Sequence, residues 1–127
     1  TIGMALTAAE TGHLVFATLH TSGAPNTINR LIDVFPSGQQ SQIRAQISES
    51  LKMVVTQKLF KKRDGSGRVA AFEIMVCNPA VRNLIREAKI HQIPSAIQTG
   101  QRDGMITMEK SIEKLIASKT INNVGKA

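Results

Sequence analysis

The stretch Glu10-Thr-Gly-His13-Leu-Val-Phe-Ala-Thr-Leu-His20-Thr21 constrains this chain more than any other. Six residues, mostly apolar, join two histidines, and a small-residue break at Thr11-Gly12 precedes them. The run is too short for a buried helix and has the length of a buried strand. A strand over about 13–20 places His20 at its C-terminal tip, with Thr18 and Thr21 beside it. An α/β fold commonly aims polar groups at a ligand from that end of a buried strand.

The flanking sequence agrees with α/β layering. Ile2, Leu6 and Ala9 recur at helical spacing, and Gly12 is placed to end that helix. Pro25 suits the first turn of a second helix, whose apolar stripe is Ile28, Leu31, Ile32 and Phe35, and Pro36 stops it. Ser37 and Gln40 match a capping box for a third helix. Its stripe runs through Ile43, Ile47, Leu51, Val54 and Val55. Near Val54 β-branched residues gather, and a strand to about Phe60 is expected. Asp64-Gly-Ser-Gly67 is a turn signal, and Arg68–Val76 reads as the second strand of a hairpin.

After Val76 the pattern is helical throughout. Asn78-Pro79 is an N-cap followed by a proline in the first helical position, and Val81, Leu84, Ile85 and Ala88 form the inward face. Pro94 and Gly100 punctuate short helices, and Thr107 caps a last one with Met108, Ile112, Leu115 and Ile116 facing inward. Beyond about Thr120 the polar tail is expected to fray.

Composition narrows the function classes. A chain of 127 residues has room for one domain with a real core. It has no Trp or Tyr, so that core is built from aliphatic side chains, Met and four Phe. No apolar run approaches the roughly 20 residues of a membrane span, which argues against membrane insertion. No signal-peptide pattern opens the chain, and the single Cys77 has no internal disulfide partner, so a cytoplasmic setting is expected. The formal net charge of +7 permits nucleic acid, acidic protein or anionic lipid as partner without choosing among them. Lys58, Lys61, Lys62, Arg63 and Arg68 crowd the turn region around Asp64. No nucleic-acid reading motif accompanies them, so a solvated hairpin tip is favoured over a nucleic-acid patch. His13, His20, His91 and Cys77 lack metal-ligand spacing, and no metal site is expected.

Residues 5 to 21, Ala-Leu-Thr-Ala-Ala-Glu-Thr-Gly-His-Leu-Val-Phe-Ala-Thr-Leu-His-Thr, closely resemble the histidine-box region of secretion and type IV pilus motor ATPases. Thr27-Ile-Asn-Arg-Leu-Ile-Asp-Val-Phe-Pro36 resembles the segment that follows it. Residues 80 to 87, Ala-Val-Arg-Asn-Leu-Ile-Arg-Glu, are similar to a signature of the PilT-like retraction branch of twitching motility, and Ser95–Gly100 continues the match. The resemblance implies the C-terminal part of a RecA-like P-loop NTPase domain over 1–77, followed by a helical C-terminal region over 78–127. It implies a hexameric motor that couples ATP hydrolysis, with Mg2+, to pilus retraction. The partners implied are inner-membrane platform proteins at the pilus base, with the motor cytoplasmic and peripheral to that membrane. Type II secretion and pilus-extension motors are the alternative within the superfamily, and a basic nucleic-acid or partner-binding module is the alternative outside it. The chain begins at Thr1 and contains neither a Gly-x-x-x-x-Gly-Lys-Ser/Thr loop nor an acidic Walker B strand. It therefore reads as a piece of a longer motor and is expected to be inactive alone.

The resemblance also points to site residues. His13 and His20 match the two histidines of the box. They lie more than 20 Å apart on an extended strand at roughly 3.3 Å per residue. One phosphate cannot touch both. His20 is expected as the phosphate sensor and His13 as a helper or a neighbour contact. Thr18 and Thr21 are candidates to bond phosphate, water or His20, or are ordinary strand and helix-start residues. Arg30 is placed to reach a phosphate or an adjoining subunit, or is a solvated face residue. Arg82, Arg86 and Lys89 form a basic stripe opposite Val81, Leu84 and Ile85. The resemblance implies a coupling role for this signature, Ala80, Val81, Arg82, Asn83, Leu84, Ile85, Arg86 and Glu87, outside the nucleotide pocket. The coupling itself is expected from Arg82, Asn83, Arg86 and Glu87.

Overall fold

A computed structural model describes residues 1–122. The order is α1 (Ile2–Glu10), α2 (Ala24–Asp33), α3 (Gln40–Ser50), β1 (Met53–Lys61), β2 (Arg68–Val76), α4 (Pro79–Arg86), α5 (Ile93–Thr99) and α6 (Met108–Ala117), with short 3-10 turns between helices. The strands form an antiparallel hairpin in which Met53 faces Val76 and Lys61 faces Arg68. Strand alternation then puts Val54, Ala71, Glu73 and Met75 on one face. That face meets the helices, and Val54, Ala71 and Met75 are buried on it. The core joins it to Ile28 and Ile32 of α2, Ile47 of α3, Val81 and Ile85 of α4, and Ile93 and Ile97 of α5. The opposite face keeps Met53, Val55, Leu59 and Phe72 exposed.

Local chemistry accounts for the helix ends. Gly12 follows α1 at φ +98°, with its N–H on the Ala9 carbonyl and the His13 N–H on the Ala8 carbonyl. This is a Schellman closure, which needs a left-handed residue where glycine sits. Asn78 caps α4 by accepting the Val81 N–H at 2.9 Å, and Thr107 caps α6 by accepting the Lys110 N–H at 3.1 Å. The turn at 64–67 is closed by the Asp64 carboxylate, which accepts both the backbone and hydroxyl hydrogens of Ser66.

Several expectations are corrected. Residues 13–20 form no regular element, and Leu14 and Phe16 are 80% and 87% exposed. A strand requires a neighbour for its backbone groups. Among the described residues the only sheet is the β1–β2 ribbon, and 13–20 does not join it. The Ser37–Gln40 capping box does not form, because Ser37 starts a 3-10 turn and the Gln40 amide donates to the Phe35 carbonyl at 3.0 Å. Val55 leaves the stripe of Val54 because the period becomes two once β1 begins, which turns it to the exposed face. Ala88 is exposed rather than inward, since it is the left-handed residue, φ +60°, that ends α4. The chain beyond Thr120 is anchored at first: the Thr120 carbonyl accepts the Arg63 N–H at 2.8 Å, and Ile121 is buried. The rest of the expected fraying tail, 123–127, lies outside the described residues.

Candidate functional site

The loop between His13 and α2 ends in a tightly anchored turn. The Thr21 and Thr27 hydroxyls lie 2.6 Å apart, and the Thr27 hydroxyl donates to the Gly23 carbonyl at 2.9 Å. The Asn26 amide donates to the Ser22 carbonyl at 2.8 Å. Gly23, at φ +91°, takes a conformation that side chains disfavour and lets the chain turn into α2. These contacts bind residues 21–23 to the first turn of α2 and leave His20 exposed just ahead of it.

A shallow groove of about 480 Å³ runs along α2 from this turn, lined by His20, Thr21, Ser22, Asn26, Asn29, Arg30 and Asp33. Of the residues expected from sequence, His20, Thr21 and Arg30 meet here. Asn29 and Arg30 reach the groove because they follow Asn26 by three and four positions, one helical face. The lining combines an imidazole, a guanidinium and two carboxamides, which are donors to anionic oxygens. Thr18 is exposed and outside the groove. His13 stands apart too: its Nδ1 lies 3.2 Å from the Thr11 hydroxyl and 3.3 Å from the Ala8 carbonyl, at the end of α1.

The second matched segment builds a junction between two helices. Within α4, Val81 and Ile85 are fully buried and Leu84 packs at the edge of the core. The Arg82 guanidinium reaches α3, donating from Nη1 to the Ser48 carbonyl and, at 3.0 Å, to the Glu49 carbonyl. These are last-turn carbonyls without a helical partner, and a cation suits the negative end of the helix. One turn on, Arg86 pairs with the Glu49 carboxylate at 3.1 Å, while Lys89 pairs with Glu87 at 3.3 Å. The stripe Arg82, Arg86, Lys89 is thus divided among three kinds of contact. Ala80 and Asn83 are exposed. Cys77, at the end of β2, is buried, and burial pushes its thiol up to about 11, against the opposing pull of Arg82 and Lys52.

Sequence reasoning missed Glu73. Its Oε1 accepts the Ala24 N–H at 2.8 Å, joining β2 to the start of α2. A lone carboxylate in the apolar run Val69–Val76 is the signal that marks it. Ser22, Asn26, Asn29 and Asp33 were missed as well, since each reads locally as an ordinary loop or helix residue. Among the described residues no group of three or more His, Cys, Asp or Glu gathers to hold a metal ion. The groove's donors fit phosphate oxygens; its single carboxylate, Asp33, does not make a magnesium cage.

The fold and this histidine loop place the chain among secretion-system proteins: residues 1–65 match the Type II/IV secretion system protein family, and the chain belongs to it. It is 60% identical over 116 residues to a twitching motility protein of Neisseria gonorrhoeae, covering 91% of this chain and 31% of that protein. It is 55% identical over 122 residues to the type IV pilus retraction ATPase PilT of Pseudomonas aeruginosa, covering 96% of this chain and 35% of the relative. The chain thus spans about a third of the length of these relatives. Its fold matches a crystal structure of the pilus retraction motor PilT with bound ADP at a TM-score of 0.71 and 44% identity, over 88% of this chain and 35% of the other.

Proposed function

We propose that this chain is the C-terminal part of a type IV pilus retraction ATPase, with the His20 groove as its phosphate-facing edge. The groove carries the reading, because it brings His20 and Thr21 of an anchored loop together with Arg30 of α2. The similarity to a twitching motility protein and to a retraction ATPase supports it. Residues 1–77 belong to the ATPase core and 78–127 to the helical region that passes movement on.

ATP supplies the phosphoryl group, and the complete protein supplies the phosphate loop and the Mg2+ ligands that this sequence lacks. Within this chain His20 donates to a terminal phosphate oxygen, and Arg30 adds positive charge along the groove. Such donors act by stabilising charge that grows in the transition state. His13, held at the end of α1, serves a helper role or contacts a neighbouring subunit. The segment Ala80–Glu87 couples by holding α4 to α3 through Arg82 and Arg86. The complete motor is a homo-hexamer in the cytoplasm, docked on pilus platform proteins at the inner membrane. No helix among the described residues is long and apolar enough to cross a membrane.

The test is ATP hydrolysis by the complete protein carrying His20→Ala. A loss of about a hundredfold in kcat is expected from removing one donor of this kind. Hydrolysis within twofold of the unaltered protein would remove His20 from the mechanism. The 127-residue chain alone is expected to show no turnover. Turnover by it would overturn the assignment of the phosphate loop to another part of the protein.

A further inference from the structure

We infer that Glu73 is a positioning residue for His20, holding the loop that carries the imidazole against the β-hairpin. The inference rests on the reading of the His20 groove as the phosphate-facing site. The α2 helix begins at Ala24 with Gly23 as its N-cap, so it has no capping side chain of its own, and no acid stands in its first turn. Its first N–H groups lack helical partners and need acceptors from elsewhere. Glu73, 49 residues away in sequence, accepts the Ala24 N–H at 2.8 Å. The carboxylate therefore lies at the helix end whose partial positive charge favours an anion. Ala24 is 0% exposed, so removing that acceptor leaves a buried donor unpaired.

The anchors form a chain toward His20. Glu73 fixes the start of α2, and the first turn of α2 fixes residues 21–23 through Thr27 and Asn26. His20 stands directly ahead of that turn. A methyl group on Gly23 would lie 3.6 Å from Glu73 Oε1, so the loop passes close beside the carboxylate. On the other side of Glu73, Ile74 exchanges backbone hydrogen bonds with Ile106 at 2.9 and 3.2 Å. The Phe72 N–H donates to the Ser111 hydroxyl at 3.0 Å. Three consecutive residues of β2 thus hold both α6 with the Ile106 segment before it and the start of α2. A shift of α6 reaches the His20 loop through Glu73.

The experiment is a double-mutant cycle in the complete protein, with ATP as the probe. Glu73→Ala is expected to lower kcat about tenfold, with KM for ATP changed less than about threefold, as for a misplaced catalytic group. Glu73→Gln, whose amide oxygen accepts the same N–H, is expected to recover most of the rate. On a His20→Ala background Glu73→Ala is expected to add nothing, because both changes remove the same action. Unchanged kcat in Glu73→Ala, losses that multiply across the cycle, or no recovery with Gln would each overturn the inference. If Glu73→Ala does not fold, Glu73→Asp, one methylene shorter, takes its place with the same expected outcomes. Full activity of His20→Ala alone would overturn the reading of the groove, and the inference with it. An active wild type, an inactive His20→Ala and an unaffected Glu73→Ala would overturn the inference alone.

Discussion

Arg82 and Arg86 occupy one face of α4 a turn apart, yet their contacts predict different consequences for stability. Arg82 spans two carbonyls at the end of α3, and Ser48, which supplies one of them, is 0% exposed. Truncating Arg82 to Ala leaves that carbonyl buried without its donor, at about 1–3 kcal/mol. It also removes a cation from the helix C-terminus, worth about 0.3–1 kcal/mol. The Glu49 carbonyl belongs to an exposed residue and recovers a bond from water, so it adds little. The sum for Arg82→Ala is about 1–4 kcal/mol, a fall in Tm of roughly 5–15 °C for a chain of this size. The Arg86–Glu49 pair is 48% and 72% exposed, and Arg86→Ala is expected to lose less than about 0.5 kcal/mol. Urea and thermal unfolding of the 127-residue chain, followed by circular dichroism, measure both. Equal losses within about 0.5 kcal/mol would refute the argument that the α3 carbonyls depend on Arg82.

Cys77 has its thiol raised from 9.0 to about 11, chiefly by burial, so at pH 8 its thiolate fraction is about a hundredfold below that of a free cysteine. Native protein is expected to react with an aromatic disulfide reagent at least that much more slowly than urea-unfolded protein; rates within fivefold would contradict it. The same shift sets a sign on stability. Between about pH 9 and 11 the unfolded chain has given up a proton the folded one keeps, so stability falls as pH rises through that window. A Cys77→Ala chain is expected to lose that slope. Ala88 closes α4 at φ +60°, with its N–H on the Ile85 carbonyl and the Lys89 N–H on the Leu84 carbonyl. This position favours glycine, so Ala88→Gly is expected to raise stability by about 0.5–1 kcal/mol in urea unfolding. A loss of stability would show that the left-handed backbone is not strained there.

Short-range patterns were legible in the residues themselves. The Asp64–Ser66 turn of the hairpin, the Asn78 and Thr107 caps and the Gly12 helix end all depend on bonds between residues a few positions apart. Periodicity and turn chemistry report such bonds directly. His20 and Thr21 meet Arg30 because α2, which carries Arg30, begins just after them. The strand over 13–20 was not decided locally, since a strand exists only where another strand supplies its hydrogen bonds.

The amino-acid order alone determined where helices and the hairpin lie and which apolar faces turn inward, because these follow from spacing along the chain. Tertiary structure alone decided which charged groups found distant partners. Arg82 and Arg86 carry the same charge on the same stripe, but only Arg82 meets helix-end carbonyls 33 and 34 residues away, one of them on the buried Ser48. Glu73 meets Ala24 only because the hairpin's inner face packs against α2. Distant partners are chosen by how preformed elements stack, and no local period along the chain encodes that choice.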